Sequence, residues 1–265
     1  AEEAFAKEVQ AEEAVEGEGE AEIEWGQDVF YKDWEGNPLK GPVSGYPAPE
    51  LGPEDYNNYE FAPSRIILWV ANQQHLYFGS FVLAVPIFCM LIEFIGIRVR
   101  EEDPVMAEKY DRLAKDLMKV SLTAYSWTAI LGGILLFTFI TLFPGFFKYM
   151  AGIFRPVMHV YALMFLAESG VLYVYYYGWD KMNDGGFLKW IHCSLSVLLN
   201  LIGTVLMYLA NSWATFMQAP GGIDEQGRFL GNIWHVIHST LWNPVGVHRI
   251  LGNIVFGGGI VGAYA

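Results

Sequence analysis

From residue 64 onward the chain alternates long apolar runs with short polar ones. The first run, about 66–97, carries only two ionisable side chains, His75 and Glu93. The others are about 121–147, 153–178, 190–213 and 244–265, the last still apolar where the sequence stops. A bilayer core about 30 Å thick takes roughly 20 apolar residues in a helix, so each run can span it. The pattern therefore predicts an all-α integral membrane fold, a bundle of about five transmembrane helices.

The region before the bundle follows a different pattern. Residues 1–24 hold ten glutamates and one lysine, and predict an acidic, disordered tail. Residues 25–63 space Trp, Tyr and Phe with Pro, Gly and Asp, which predicts an extended arm lying outside the membrane over a larger assembly. Basic residues set the orientation. Arg98, Arg100, Lys109, Arg112, Lys115 and Lys119 crowd the stretch between the first two runs. The positive-inside rule places that stretch in the cytoplasm and the N-terminus outside. Residues 148–152 and 214–243 then fall outside, and 179–189 inside.

Composition adds little beyond this. Of 265 residues, 53% are hydrophobic, and the net charge of −13 sits mostly in the acidic tail. No basic patch suits a nucleic acid. The opening AEEAFAKEVQ has no apolar core of the secretory kind. Cys89 and Cys193 lie in separate apolar runs, outside any haem-attachment or zinc spacing. The closing GNIVFGGGIVGAYA lacks a charged flank, as expected of a fragment or of one half of a split subunit.

Ionisable groups inside apolar runs are costly and mark pathways or cofactors. His75 and Glu93 are 18 residues apart, which is five helical turns and about 27 Å on one face. An intramembrane imidazole is the usual ligand of a non-covalent haem iron; its other use is a hydrogen bond to a neighbouring helix. His75 is the strongest candidate by depth. His159, on the third run, could clamp a haem with it, but nine residues separate it from Glu168, so the two face opposite ways. His248 stands one turn into the fifth helix, behind Pro244 at its first position. His235 and His238 read as interfacial residues, and His192 as structural. Glu168, mid-helix without a basic neighbour, reads as a proton-relay group. Glu93 either shares that role or reaches the interface.

Several motifs resemble subunit I of the cytochrome bd quinol oxidases, in the same order. SRIILWVANQQHLYF is similar to that family's first helix, whose high-spin haem histidine would here be His75. FLAESGVLYVYYYGWDKM resembles its third helix, and Glu168, with Ser169 beside it, matches the carboxylate near the active haems. ANSWATFMQAPGG, Gly227-Arg228 and NPVGVHR continue the likeness. The resemblance implies haem b or haem d, a quinone, proton uptake and electron transfer from quinol to oxygen or to a partner redox subunit. It implies a bacterial-type inner membrane and other respiratory subunits, one of them supplying the C-terminal half. Two positions depart from the family. A second carboxylate expected eight residues before Glu168 is Val160, and the low-spin haem histidine expected nine residues after Asn243 is Gly252. His248, one turn before Gly252 on nearly the same face, is the expected replacement ligand, which would set its haem about 6 Å further out. The alternative is a haem-less structural subunit that keeps the fold and holds a larger complex through its arm.

Overall fold

The computed structural model describes residues 59–183 and 186–265; the acidic tail and all but the last few residues of the arm lie outside them. Six helices follow in order: α1 (Ser64–Val99), α2 (Pro104–Leu142), α3 (Pro144–Gly178), α4 (Phe187–Gln218), a short α5 (Ile233–Ile237) and α6 (Trp242–Tyr264). All but α5 are long and apolar enough to cross a membrane. The expected all-α bundle is what forms.

Two helix boundaries differ from the sequence pattern. The basic stretch after α1 is not a loop, because α2 already starts at Pro104. Asp103 caps it, its Oδ1 accepting the Met106 N–H at 2.9 Å, and proline suits the first helical position because no N–H is needed there. Over its first turns Ala107, Asp111, Ala114, Leu117 and Met118 are buried at helical spacing, while the basic residues occupy the other faces. At 1.5 Å per residue, 39 residues reach about 58 Å, so α2 projects well past the hydrocarbon. The second difference is the turn into the third helix, which falls at Phe143 and not at 148–152. Pro144 forces this break, since a residue before proline is pushed out of helical geometry; Phe143 has φ −132° and ψ 57°.

α1 packs against α2, α4 and α6, and α3 packs on α4. One core, with Val85, Cys89, Leu117, Tyr175, Leu199 and Val261, draws on all five long helices. It lies toward the end of the bundle where α1 and α3 finish and α2 and α4 begin, here termed the basic end. A second core joins the start of α3 to the end of α4 and to α5 through Phe154, Phe216 and Val236. Phe137, Leu163, Leu166 and Val255 are each at least two-thirds exposed, an outer surface suited to lipid.

Glycines allow two close approaches of different strictness. A Cβ on Gly257 of α6 would lie 2.6 Å from Ala84 Cβ and 3.1 Å from its backbone carbon, atoms that cannot swing away. On Gly203 of α4 it would meet Glu168 Oε1 at 2.8 Å and Leu83 Cδ2 at 3.0 Å, both ends of flexible side chains. Gly257→Ala should therefore cost about 1–3 kcal/mol, as overpacking does. Gly203→Ala should cost visibly less, because the carboxyl and the leucine can turn. Thermal melting of the two variants in the same detergent checks the order, and equal midpoints would contradict it.

Candidate functional site

The five long helices place ionisable and polar side chains at three levels.

At the end away from the basic residues, His75 projects from α1 toward α2. Its Nδ1 lies 3.1 Å from the Thr128 carbonyl oxygen. That oxygen can only accept, so Nδ1 carries the proton and Nε2 the lone pair. No hydrogen bond to Nε2 occurs among the described residues. The ring rests on Gly132, where a Cβ would approach Cε1 to 3.0 Å. A ring nitrogen tied to a carbonyl with the other left basic is the arrangement of a metal-ligating histidine. His75 thus fits a haem iron.

His248, on α6, lies against a different face of α1. It lines a cleft of about 380 Å³ between α1 and α6, together with Gln73, Tyr77, Arg249, Gly252 and Phe256. Gly252 has open space where a side chain would stand. Arg249 reaches from α6 to α4 and donates to Asn211 Oδ1. The Asn211 Nδ2 is buried without a partner. A cleft lined by a histidine and a cation suits a haem with its acidic side groups. His159 is exposed on α3, on the side away from the buried Glu168, and no contact joins it to His75.

At mid-depth Glu168 is buried on α3, and no hydrogen bond satisfies its carboxyl among the described residues. It borders a cavity of about 10 Å³ with Ser121, Tyr125, Leu172, Asn200 and Gly203. The Ser121 Oγ is likewise buried and unpartnered. Such a volume holds one water, and the two unpaired oxygens are what a buried water needs. Ser169 takes a different partner: Tyr125 Oη lies 2.6 Å from its Oγ, and Ser169 donates to the Phe165 carbonyl at 2.8 Å.

The third level, at the basic end, was not foreseen. Glu93 does not reach the interface but is enclosed by four helices. Its Oε1 accepts from Lys189 Nζ at 2.8 Å and faces His192 Nδ1 at 2.5 Å; its Oε2 accepts from Tyr175 Oη at 2.7 Å. Lys189 also pairs with Asp111 Oδ1 at 2.5 Å. Trp179 Nε1 and Asn183 Nδ2 donate to Asp111 Oδ2 at 3.0 and 2.7 Å. His192 Nε2 faces the Tyr175 carbonyl at 2.8 Å. Both ring nitrogens thus face acceptors, and with the imidazole charged the two cations balance the two carboxylates. Tyr175 and Trp179 wall the cluster with their rings at 4.5 and 4.6 Å from His192.

His192, expected to be structural, is thus part of a charged cluster. The available signal was Lys189 three residues before His192 at the start of an apolar run, on one helical face. Asp111 was hidden among the basic residues of a stretch that reads as a loop.

A sequence profile of the family described as cytochrome bd terminal oxidase subunit I matches residues 64–265. No curated protein matches the chain.

Proposed function

Since the chain belongs to the family of cytochrome bd terminal oxidase subunit I, and is a multi-pass membrane protein related to quinol oxidases, we propose that it is a haem-binding electron-transfer subunit. It moves electrons between a quinol and oxygen, or between a quinol and a partner redox subunit, with uptake of protons. The basic end faces the cytoplasm and the N-terminus lies outside. Other respiratory subunits complete the complex.

The observation that carries this reading is the His75 ring, held by the Thr128 carbonyl at 3.1 Å with its second nitrogen free. A haem b or d bound there supplies a one-electron redox centre, whose potential the surroundings tune. The chain's own residues do the rest. Thr128 fixes the imidazole tautomer, and Gly132 sets how close α2 comes to the ring. His248 offers a second ligand in the cleft beside Arg249. Glu168 and the water-sized cavity beside it hold a proton in the interior, and Ser169, tied to Tyr125, fixes that turn of α3.

The haem-less structural reading has its own support: Gly252 and Val160 stand where the family has a histidine and a carboxylate, and His159 is exposed. A pyridine haemochrome assay and a reduced-minus-oxidised spectrum of the purified complex decide between the two. At least one haem per chain, reducible by a quinol, is expected; a chain without haem leaves the structural role.

A further inference from the structure

The end of α1 and the start of α4 meet at the basic end, and their inner sides are pinned together by Glu93, Lys189 and His192. Their outer sides leave a face that nothing covers among the described residues. Phe94 and Ile95 on α1 are 38% and 43% exposed, and Phe187, Trp190 and Ile191 on α4 are 78%, 46% and 37% exposed. Further along α4 the exposed side chains stay apolar, with Val197 and Leu201. Such a face suits hydrocarbon chains.

A cation closes this face at its polar end. Arg98 stands in the last turn of α1, one turn beyond Phe94. Its guanidinium carbon lies 5.2 Å from the centre of the Phe94 ring. That ring meets the Trp190 ring edge-on at 6.2 Å. Arg98 is thus laid back over an aromatic pair that joins α1 to α4, while a side chain reaching only for water would point away from it. An arginine ending a helix also complements the helix dipole, but that needs no stacking on a ring.

The charge on Arg98 is not spent within the chain. At the same end Lys115 pairs with Asp180, and Lys189 with Glu93 and Asp111. No carboxylate pairs with Arg98 among the described residues, although Glu101 and Glu102 follow it closely. One face of the guanidinium rests on Phe94, which leaves the N–H groups along its edge for an acceptor. That planar fork matches the oxygens of a phosphate. A headgroup carrying its own ammonium would bring a second cation beside Arg98, over a ring that already holds one. A headgroup with net negative charge meets no such repulsion.

We propose that the face between the end of α1 and the start of α4 binds one anionic phospholipid. Its phosphate sits on the Arg98 guanidinium, and its acyl chains lie on Phe94, Trp190 and Ile191. The lipid then bridges on the outside the two helices that Glu93 joins to Lys189 and His192 on the inside. This site does not depend on haem.

The test is native mass spectrometry of the purified, delipidated complex, titrated with phosphatidylglycerol and, separately, with phosphatidylcholine bearing the same acyl chains. One phosphatidylglycerol per chain should bind at concentrations where phosphatidylcholine does not. Arg98→Gln should weaken that site about tenfold or more, the value of a charge-assisted hydrogen bond, and should leave the lipid-free melting midpoint unchanged. Arg98→Lys keeps the charge but loses the fork, so it should bind between the two. Arg112→Gln removes an equal charge from an exposed position on α2 at the same end, and should bind like the unaltered chain. Equal losses in Arg98→Gln and Arg112→Gln would reduce the effect to overall charge. Equal binding of the two lipids would reduce it to an apolar surface. Either result overturns the site.

Discussion

Lys189→Met should cost the folded bundle about 3–5 kcal/mol, the usual penalty for removing one partner of a buried ionic cluster. Lys189 is the cation between Glu93 at 2.8 Å and Asp111 at 2.5 Å, with 3% of its side chain exposed. Without it two carboxylates share one enclosed space, with only His192 to offset them. Methionine matches the length of the lysine stem, so the loss is electrostatic and not a cavity. A sharp fall in the yield of monodisperse protein, and a lower melting midpoint in detergent, are the expected readouts. Adding Asp111→Asn to Lys189→Met should recover part of the loss, since it removes one of the stranded charges. A double-mutant cycle then gives the coupling between the two residues. If Lys189→Met costs under about 1 kcal/mol, as exposed ion pairs do, the cluster is solvated and its packing is not as described.

That cluster also shows where a sequence stops being informative. The bundle was legible because lipid demands long apolar runs, and α1 at its centre carries the plainest one. His75, Glu93 and Glu168 stood out for the same reason, as ionisable residues against an apolar background. Asp111 had no such background. It lies among Lys109, Arg112 and Lys115, and only the burial of Ala107, Ala114 and Met118 on the same face reveals that α2 has already entered the packed interior. Lys189 sits in the first turn of α4, where a lysine ordinarily reaches toward water. Its burial depends on Asp111 and Trp179, which come from two other parts of the chain. Such tertiary pairings leave no local periodic trace. The split between His75 facing α2 and His248 facing the α1–α6 cleft was hidden likewise, because it depends on which neighbour lies on which side of α1.

His75→Ala should abolish binding of one haem, lowering the pyridine haemochrome yield by one equivalent per chain and removing its band from the reduced-minus-oxidised spectrum. The argument lies in the two nitrogens of one ring. Nδ1 is committed to the Thr128 carbonyl, so a ring flip would lose that hydrogen bond, and Nε2 is presented as a base. Alanine removes that base, and nothing within the α1–α2 contact replaces it. Gly132→Ala tests the same geometry more gently: the added Cβ would stand 3.0 Å from Cε1 and turn the ring without removing either nitrogen. Disturbing a supporting contact of a metal ligand weakens affinity about 10–100-fold, so Gly132→Ala should bind haem more weakly and shift its band, with the melting midpoint little changed. His159→Ala serves as the control, because that side chain is exposed on the far side of α3 and its loss should leave the spectrum alone. An unaltered spectrum in His75→Ala, with the protein folded, would mean that the imidazole serves only to join α1 to α2. The first helix would then be a structural post, and any redox centre would have to depend on His248.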